Sequence, residues 1–254
     1  MKNVIRAEWY KLCHDLLIWI VPVYYAAMGF YSAFYYHEIM DYRWGLELFV
    51  LPEVVWLQIA FAVVVVTGYT VSGDFSRHTI QNALTVGVNK KDYYFSRLLV
   101  QMEFTGAMFA ISLLVHTVCR LVHPKGNADV AVEFLWGKLL IYMFVVLLLL
   151  WAYVAILNML AYFIKKQVIV MAVGMGVIYA EAIIRQMARS NDWGVIRLLV
   201  DWLPSNVERK MFEHAVYDTI FTGEFLGYGI CAVAVIVISS AVGYIRFCYG
   251  MDVE

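Results

Sequence analysis

Along the chain, long apolar stretches alternate with shorter polar links. The stretches fall at about residues 16–36, 48–72, 95–119, 138–163, 167–186 and 225–247. A helix needs roughly 20 mostly apolar residues to cross the hydrocarbon layer. The pattern therefore predicts an all-α polytopic membrane protein with six transmembrane helices, organised as a single transmembrane domain over residues 1–254. In residues 1–15, ahead of the first span, Ile5, Trp9, Leu12 and Leu16 step by four, three and four, which places them on one helical face. Lys2, Arg6, Lys11 and His14 lie mainly off that face. Such a helix suits the plane of the membrane interface.

The links differ in character. Residues 37–47 are short and polar, and 120–137 hold His123, Pro124, Lys125, Gly126 and Asn127. Only Lys165–Lys166 separates the fourth span from the fifth. Residues 187–224 are longer. There VIRLLVDWL has helical periodicity, Pro204-Ser205-Asn206 interrupts it, and Asn206 can cap a second short helix running to Phe221. Lys and Arg concentrate in compact segments on the side of the N-terminus, residues 74–94 and residues 165–166, whereas those on the other side are spread over longer loops. The bias predicts that both termini are cytosolic.

Composition narrows the class. Hydrophobic residues make up 63%, charged residues 15%, and mean hydropathy is +0.72. A soluble domain is about 25% charged, so a soluble enzyme and a disordered chain are both excluded. A net charge of −1 gives no basis for nucleic-acid binding. The cysteines, Cys13, Cys119, Cys231 and Cys248, form no CxxC pair. There is no GxxxxGK[ST], HExxH or GxSxG, so the chain is expected not to be an enzyme and to bind no cofactor of its own. Any ATP-driven work must come from another chain.

The link between the second and third spans is the most informative segment: DFSRHTIQNALTVGVNKKDYY, residues 74–94. Ile80, Ala83 and Leu84 share one helical face, and Gly87 and Asn89 end the helix. The run His78-Thr79-Ile80-Gln81-Asn82-Ala83-Leu84, followed by Gly87-Val88-Asn89-Lys90-Lys91-Asp92-Tyr93-Tyr94-Phe95-Ser96-Arg97, resembles the permease subunits of ABC transporters of the type-2 exporter family. There a "GTI+N-L" stretch precedes a "G-S+-+YY-SK" stretch. His78 departs from the glycine common at its position.

The resemblance implies a membrane-spanning subunit of an ATP-driven exporter of the bacterial plasma membrane. Two permease subunits, identical or related, would form the pathway, with separate ABC ATPase subunits binding ATP and Mg beneath them. The N-terminal helix would be an interfacial elbow, and residues 187–224 would form short external helices. The coupling helix would lie in 74–92, with Phe75, Arg77, His78, Thr79, Ile80, Asn82, Ala83 and Leu84 as the ATPase-coupling segment. Amphipathic peptides, antimicrobial compounds and other hydrophobic molecules are the implied cargo. A secondary transporter or channel is the alternative, and a membrane enzyme a third; neither has a matching set of residues.

Glu53, Glu103 and Glu181 are candidate pathway residues, because a carboxylate facing lipid is costly and each should face protein, water or a partner. A helix-to-helix hydrogen bond, or the outer interface for Glu53 and Glu181, would serve equally. His116, Cys119 and His123 share a helical face, but no fourth ligand is fixed, so no metal site is assigned. Gly29/Ala33, Gly223/Gly227 and Ser239/Gly243 are small-residue pairs that permit close helix approach, within the chain or in a dimer.

Overall fold

The computed structural model describes residues 1–35, 59–76, 79–122, 132–190 and 223–249, together with Val207. Among these the regular structure is all helix, with no strand. In chain order the elements are α1 (Lys2–His14), α2 (Leu16–Tyr35), α3 (Ile59–Phe75), α4 (Thr79–Thr85), α5 (Lys90–Val122), α6 (Val132–Ile164), α7 (Gln167–Ser190) and α8 (Gly223–Tyr249).

Among the described residues, four helices contain a stretch long and apolar enough to cross a membrane: Lys90–Cys119, Leu140–Ile164, Gln167–Ile184 and Leu226–Tyr249. The number rises to six if α1 with α2, and α3 with α4, each count as one bent span. The bends are 74° and 57°. The first turns α1 away from the direction of α2, as expected of a helix lying across the end of a span. The protein is a polytopic α-helical membrane protein.

α6 is the centre of the bundle. Its membrane-length stretch is 67% buried, against 22% for α7 and 28% for α8. Tyr142, Val146, Leu150, Val154, Asn158 and Tyr162 lie along it, fully buried and spaced four apart. α8 packs along α6, and α2 packs along α5. Both contacts use small residues. The Cβ position at Gly29 is occupied by the Ser112 backbone, and that at Gly243 by Tyr94 and the Met159 backbone. Two of the small-residue pairs read from sequence therefore serve helix contacts within one chain. Among the described residues, nothing lies within 4 Å of the Cβ position at Gly227.

Close to the lysine turn, the ends of α3, α5, α6 and α8 meet in an aromatic cluster. The Tyr162 ring lies 5.0 Å from both Tyr94 and Phe247, and Phe75 meets it edge-on at 5.5 Å. Lys165 takes a left-handed φ of 58° between α6 and α7, which places its ammonium 6.0 Å above the Phe75 ring. The 37–47 link, the 123–131 loop and most of 187–224 lie outside the described residues.

Candidate functional site

The connector between α3 and α5 is fastened at both ends. α4 is only seven residues long, too short to hold itself in water. Tertiary packing sets it instead. Ile80 is 2% exposed, and Ala83, Leu84 and Val88 pack against the same core. Gly87, at a φ of 92°, ends the helix. Its N–H donates to the Leu84 carbonyl at 3.0 Å, and the Val88 N–H donates to the Ala83 carbonyl at 3.1 Å. This is the Schellman arrangement, which favours glycine at the left-handed position. Asn89 then caps α5, its Oδ1 accepting from the Lys91 N–H at 3.0 Å. The Gly-x-Asn spacing thus stops one helix and starts the next within three residues.

With Ile80 turned inward, the exposed face of α4 carries Gln81, Asn82 and Thr85, and the turn adds Val86, 86% exposed. Phe75 and Thr79 are half-buried at its root. Of the residues read as the coupling segment, Ile80, Ala83 and Leu84 pack beneath the spans, and Asn82 faces out. Arg77 and His78 lie outside the described residues.

Beside the connector lies a buried ion network that the sequence reading missed. Arg97 of α5 is 4% exposed. Its Nη1 pairs with Glu8 Oε2 of α1, and its Nη2 pairs with Asp74 Oδ2 of α3 at 2.8 Å. Lys11 Nζ donates to Glu8 Oε1 at 2.8 Å and lies 4.0 Å from Asp74. The Tyr93 hydroxyl donates to Asp74 at 2.8 Å. Two carboxylates and two cations therefore balance, as buried charge requires.

α3 widens into a π-helical turn at Gly68–Ser72 within reach of the same arginine. Such turns depart from the i→i−4 pattern and recur at functional sites. Arg97 Nη2 donates to the Thr70 carbonyl, and Gln101 Nε2 donates to Thr70 Oγ1 at 3.0 Å. One face of α5, through Tyr93, Arg97 and Gln101, thus holds α1 and α3 together. The signal in the sequence is the four-residue step of those three polar residues at the start of an apolar run. Glu8 and Lys11, three apart on α1, are its counterpart.

The candidate pathway carboxylates are not brought together. Glu181 of α7 is buried and accepts from the Tyr153 hydroxyl of α6, a helix-to-helix bond. Glu103 of α5 is exposed on the surface of this chain and accepts from Trp9 Nε1 of α1 at 2.8 Å. Its register on α5 faces the N-terminal helix, not α6. Glu53 lies outside the described residues. His116 is buried with Nδ1 2.7 Å from Ser32 Oγ, and His123 lies outside the described residues. Among the described residues no three His, Cys, Asp or Glu side chains are placed to hold a metal ion.

Compared with models of protein families, the chain matches the ABC-2 family transporter protein over residues 4–182. That is more than two thirds of its length and runs from α1 into α7, so it includes the connector and the ion network. The chain belongs to the ABC-2 transporter family, whose members are membrane subunits of ABC transporters. Compared with curated proteins, it matches none.

Proposed function

We propose that this chain is the membrane-spanning permease of an ATP-driven exporter, with six spans and both termini in the cytosol. Separate ABC ATPase subunits bind ATP and Mg and dock on the exposed face of α4. A second permease, identical or related, completes the pathway in a bacterial plasma membrane. The cargo class is amphipathic or antimicrobial peptides and similar hydrophobic compounds, with export protecting the cell that makes or meets them.

The observation that carries the reading is the connector's construction. A lever passes force only if it does not bend at its root. α4 is seated through Ile80, stopped by Gly87, capped into α5 by Asn89, and braced where Asp74 meets Arg97. Its outward residues Gln81, Asn82, Thr85 and Val86 are exposed on this chain. A secondary transporter or channel needs no such lever.

The test is purification of the tagged chain from its native membrane, followed by ATP hydrolysis in liposomes with and without peptide. A P-loop ATPase that co-purifies in fixed ratio, with hydrolysis raised by an amphipathic cationic peptide, is expected. Peptide movement by the chain alone, driven by an ion gradient, favours the channel or secondary-transporter reading.

A further inference from the structure

Between α1, the end of α3 and the start of α5 lies a cavity of about 510 Å³, within the roughly 300–1,000 Å³ of small-molecule sites. Lys11, Asp15, Tyr69, Gly73, Asp74 and Arg97 line it, along with His14. Arg97 brings an unused donor. Its Nε–H is buried and has no acceptor among the described residues, although both Nη atoms are engaged. Lys11 is half-exposed, and its ammonium carries three donors, of which Glu8 takes one.

The lining alternates in sign. Lys11 and Arg97 stand against Asp15 and Asp74. A plain anion would meet two carboxylates, and a plain cation would meet a lysine and an arginine. A group carrying phosphate and ammonium a few bonds apart satisfies both. The position supplies the rest. The cavity opens beside an amphipathic helix with an exposed tyrosine, Tyr10, and next to it α2 exposes Trp19, Ile20 and Val23. Aromatic residues and an apolar stripe of this kind mark the headgroup level and the acyl region just below it.

We propose that this cavity binds the headgroup of a zwitterionic phospholipid bearing a primary ammonium. The phosphate takes donors from Arg97 and Lys11, the ammonium meets Asp15 and Asp74, and the chains run along the exposed side of α2. The lipid then contacts α1 and the root of the connector at once. The site concerns lipid held at the elbow and is independent of the cargo assigned above.

The test uses the full chain, delipidated in detergent, with three probes: phosphatidylethanolamine, phosphatidylglycerol and soluble glycerophosphoethanolamine. Native mass spectrometry reads retained lipid, and thermal shift reads protection. Phosphatidylethanolamine is expected to bind about tenfold more tightly than phosphatidylglycerol, the scale of one charge-assisted hydrogen bond. The soluble compound, without chains, should protect only weakly. A Cβ at Gly73 meets no atom of the described residues within 4 Å, so Gly73→Leu should fill the cavity without a backbone clash there and lower phosphatidylethanolamine binding about tenfold. Asp15→Asn should remove the preference over phosphatidylglycerol, and it carries the test if Gly73→Leu fails to fold. Equal binding of the two lipids, or wild-type binding by the folded Gly73→Leu variant, overturns the proposal. Binding of the soluble compound as tightly as the lipid overturns the lipid assignment in favour of a soluble ligand. A transport defect with lipid binding intact would bear on the exporter reading alone.

Discussion

Arg97 of α5 holds Glu8 of the N-terminal helix and Asp74 of the connector on the two ends of one guanidinium. Two segments far apart in sequence are thereby tied to the same turn of α5. Neither can shift without exposing a buried charge or dragging the other. The aromatic cluster around Tyr162 locks the opposite side of the connector's root through Phe75. In the proposed exporter, the segment so braced is the one that receives force from the ATPase.

Removing the arginine should be far worse than removing one carboxylate. Arg97→Met takes from the buried Glu8 and Asp74 the guanidinium they share, and breaking a buried pair from one side costs about 3–5 kcal/mol. Glu8→Gln keeps an acceptor of the same shape and leaves Arg97 paired with Asp74. Its expected loss is smaller, about 1–3 kcal/mol. Thermal unfolding in detergent measures both. An equal or larger loss for Glu8→Gln would show that Arg97 is not the hub.

The glycines offer a test of packing that is independent of charge. At Gly29 an added methyl would meet the Ser112 backbone of α5, which cannot rotate away. Gly29→Ala should therefore cost roughly 1–3 kcal/mol, the range for overpacking. At Gly227 nothing among the described residues lies within 4 Å of the Cβ position, and alanine is the better helix former, so Gly227→Ala should be neutral or stabilising by up to about 1 kcal/mol. Unfolding midpoints for the two variants decide it. A stable Gly29→Ala would mean that α2 and α5 do not approach so closely.

The helices were legible in the sequence because each apolar run is long and α6 is apolar all round. The ends of the connector's helix were legible too, since Gly87 and Asn89 have local reasons to act there. The ion network was not. Glu8, Asp74 and Arg97 are distant in sequence, and each taken alone reads as an interfacial charge. Their meeting depends on the fold of α1 back across α5, which no local spacing encodes. The contact of Glu103 with Trp9 was not legible for a related reason: its depth in an apolar run was plain, but its neighbour depended on where α1 lies.

Glu103 and Trp9 make a separable prediction. Glu103→Gln retains an acceptor for Trp9 Nε1 and should leave the unfolding midpoint nearly unchanged. Trp9→Phe removes the donor and should cost about 1 kcal/mol, the net value of a typical hydrogen bond. The comparison uses melting curves of the two variants in the same detergent. A large loss in Glu103→Gln would mean that the charge itself holds α1 in place.

The connector decides the functional reading, and burial separates its residues into two groups. Ile80 is seated in the core, so Ile80→Asp forces a carboxylate into an apolar site or unseats α4. Its expected result is low yield of folded protein. Val86 and Asn82 are exposed, and among the described residues their side chains make no hydrogen bond or ion pair. Val86→Asp and Asn82→Asp should leave folding intact, within about 0.5 kcal/mol for exposed positions. If the ATPase docks on this face, Val86 is the apolar side chain most exposed to it, and apolar anchors carry much of an interface's energy. Val86→Asp should then reduce co-purification of the ATPase at least about tenfold, the equivalent of 1.4 kcal/mol, and abolish cargo-stimulated hydrolysis. Asn82→Asp should act more mildly as a rim position. Yield, size-exclusion profile, ATPase retention and hydrolysis are measured on the same preparations. If Val86→Asp folds normally and keeps both partner and stimulation, the outward face of α4 is not the coupling surface. The drive would then have to enter the bundle elsewhere.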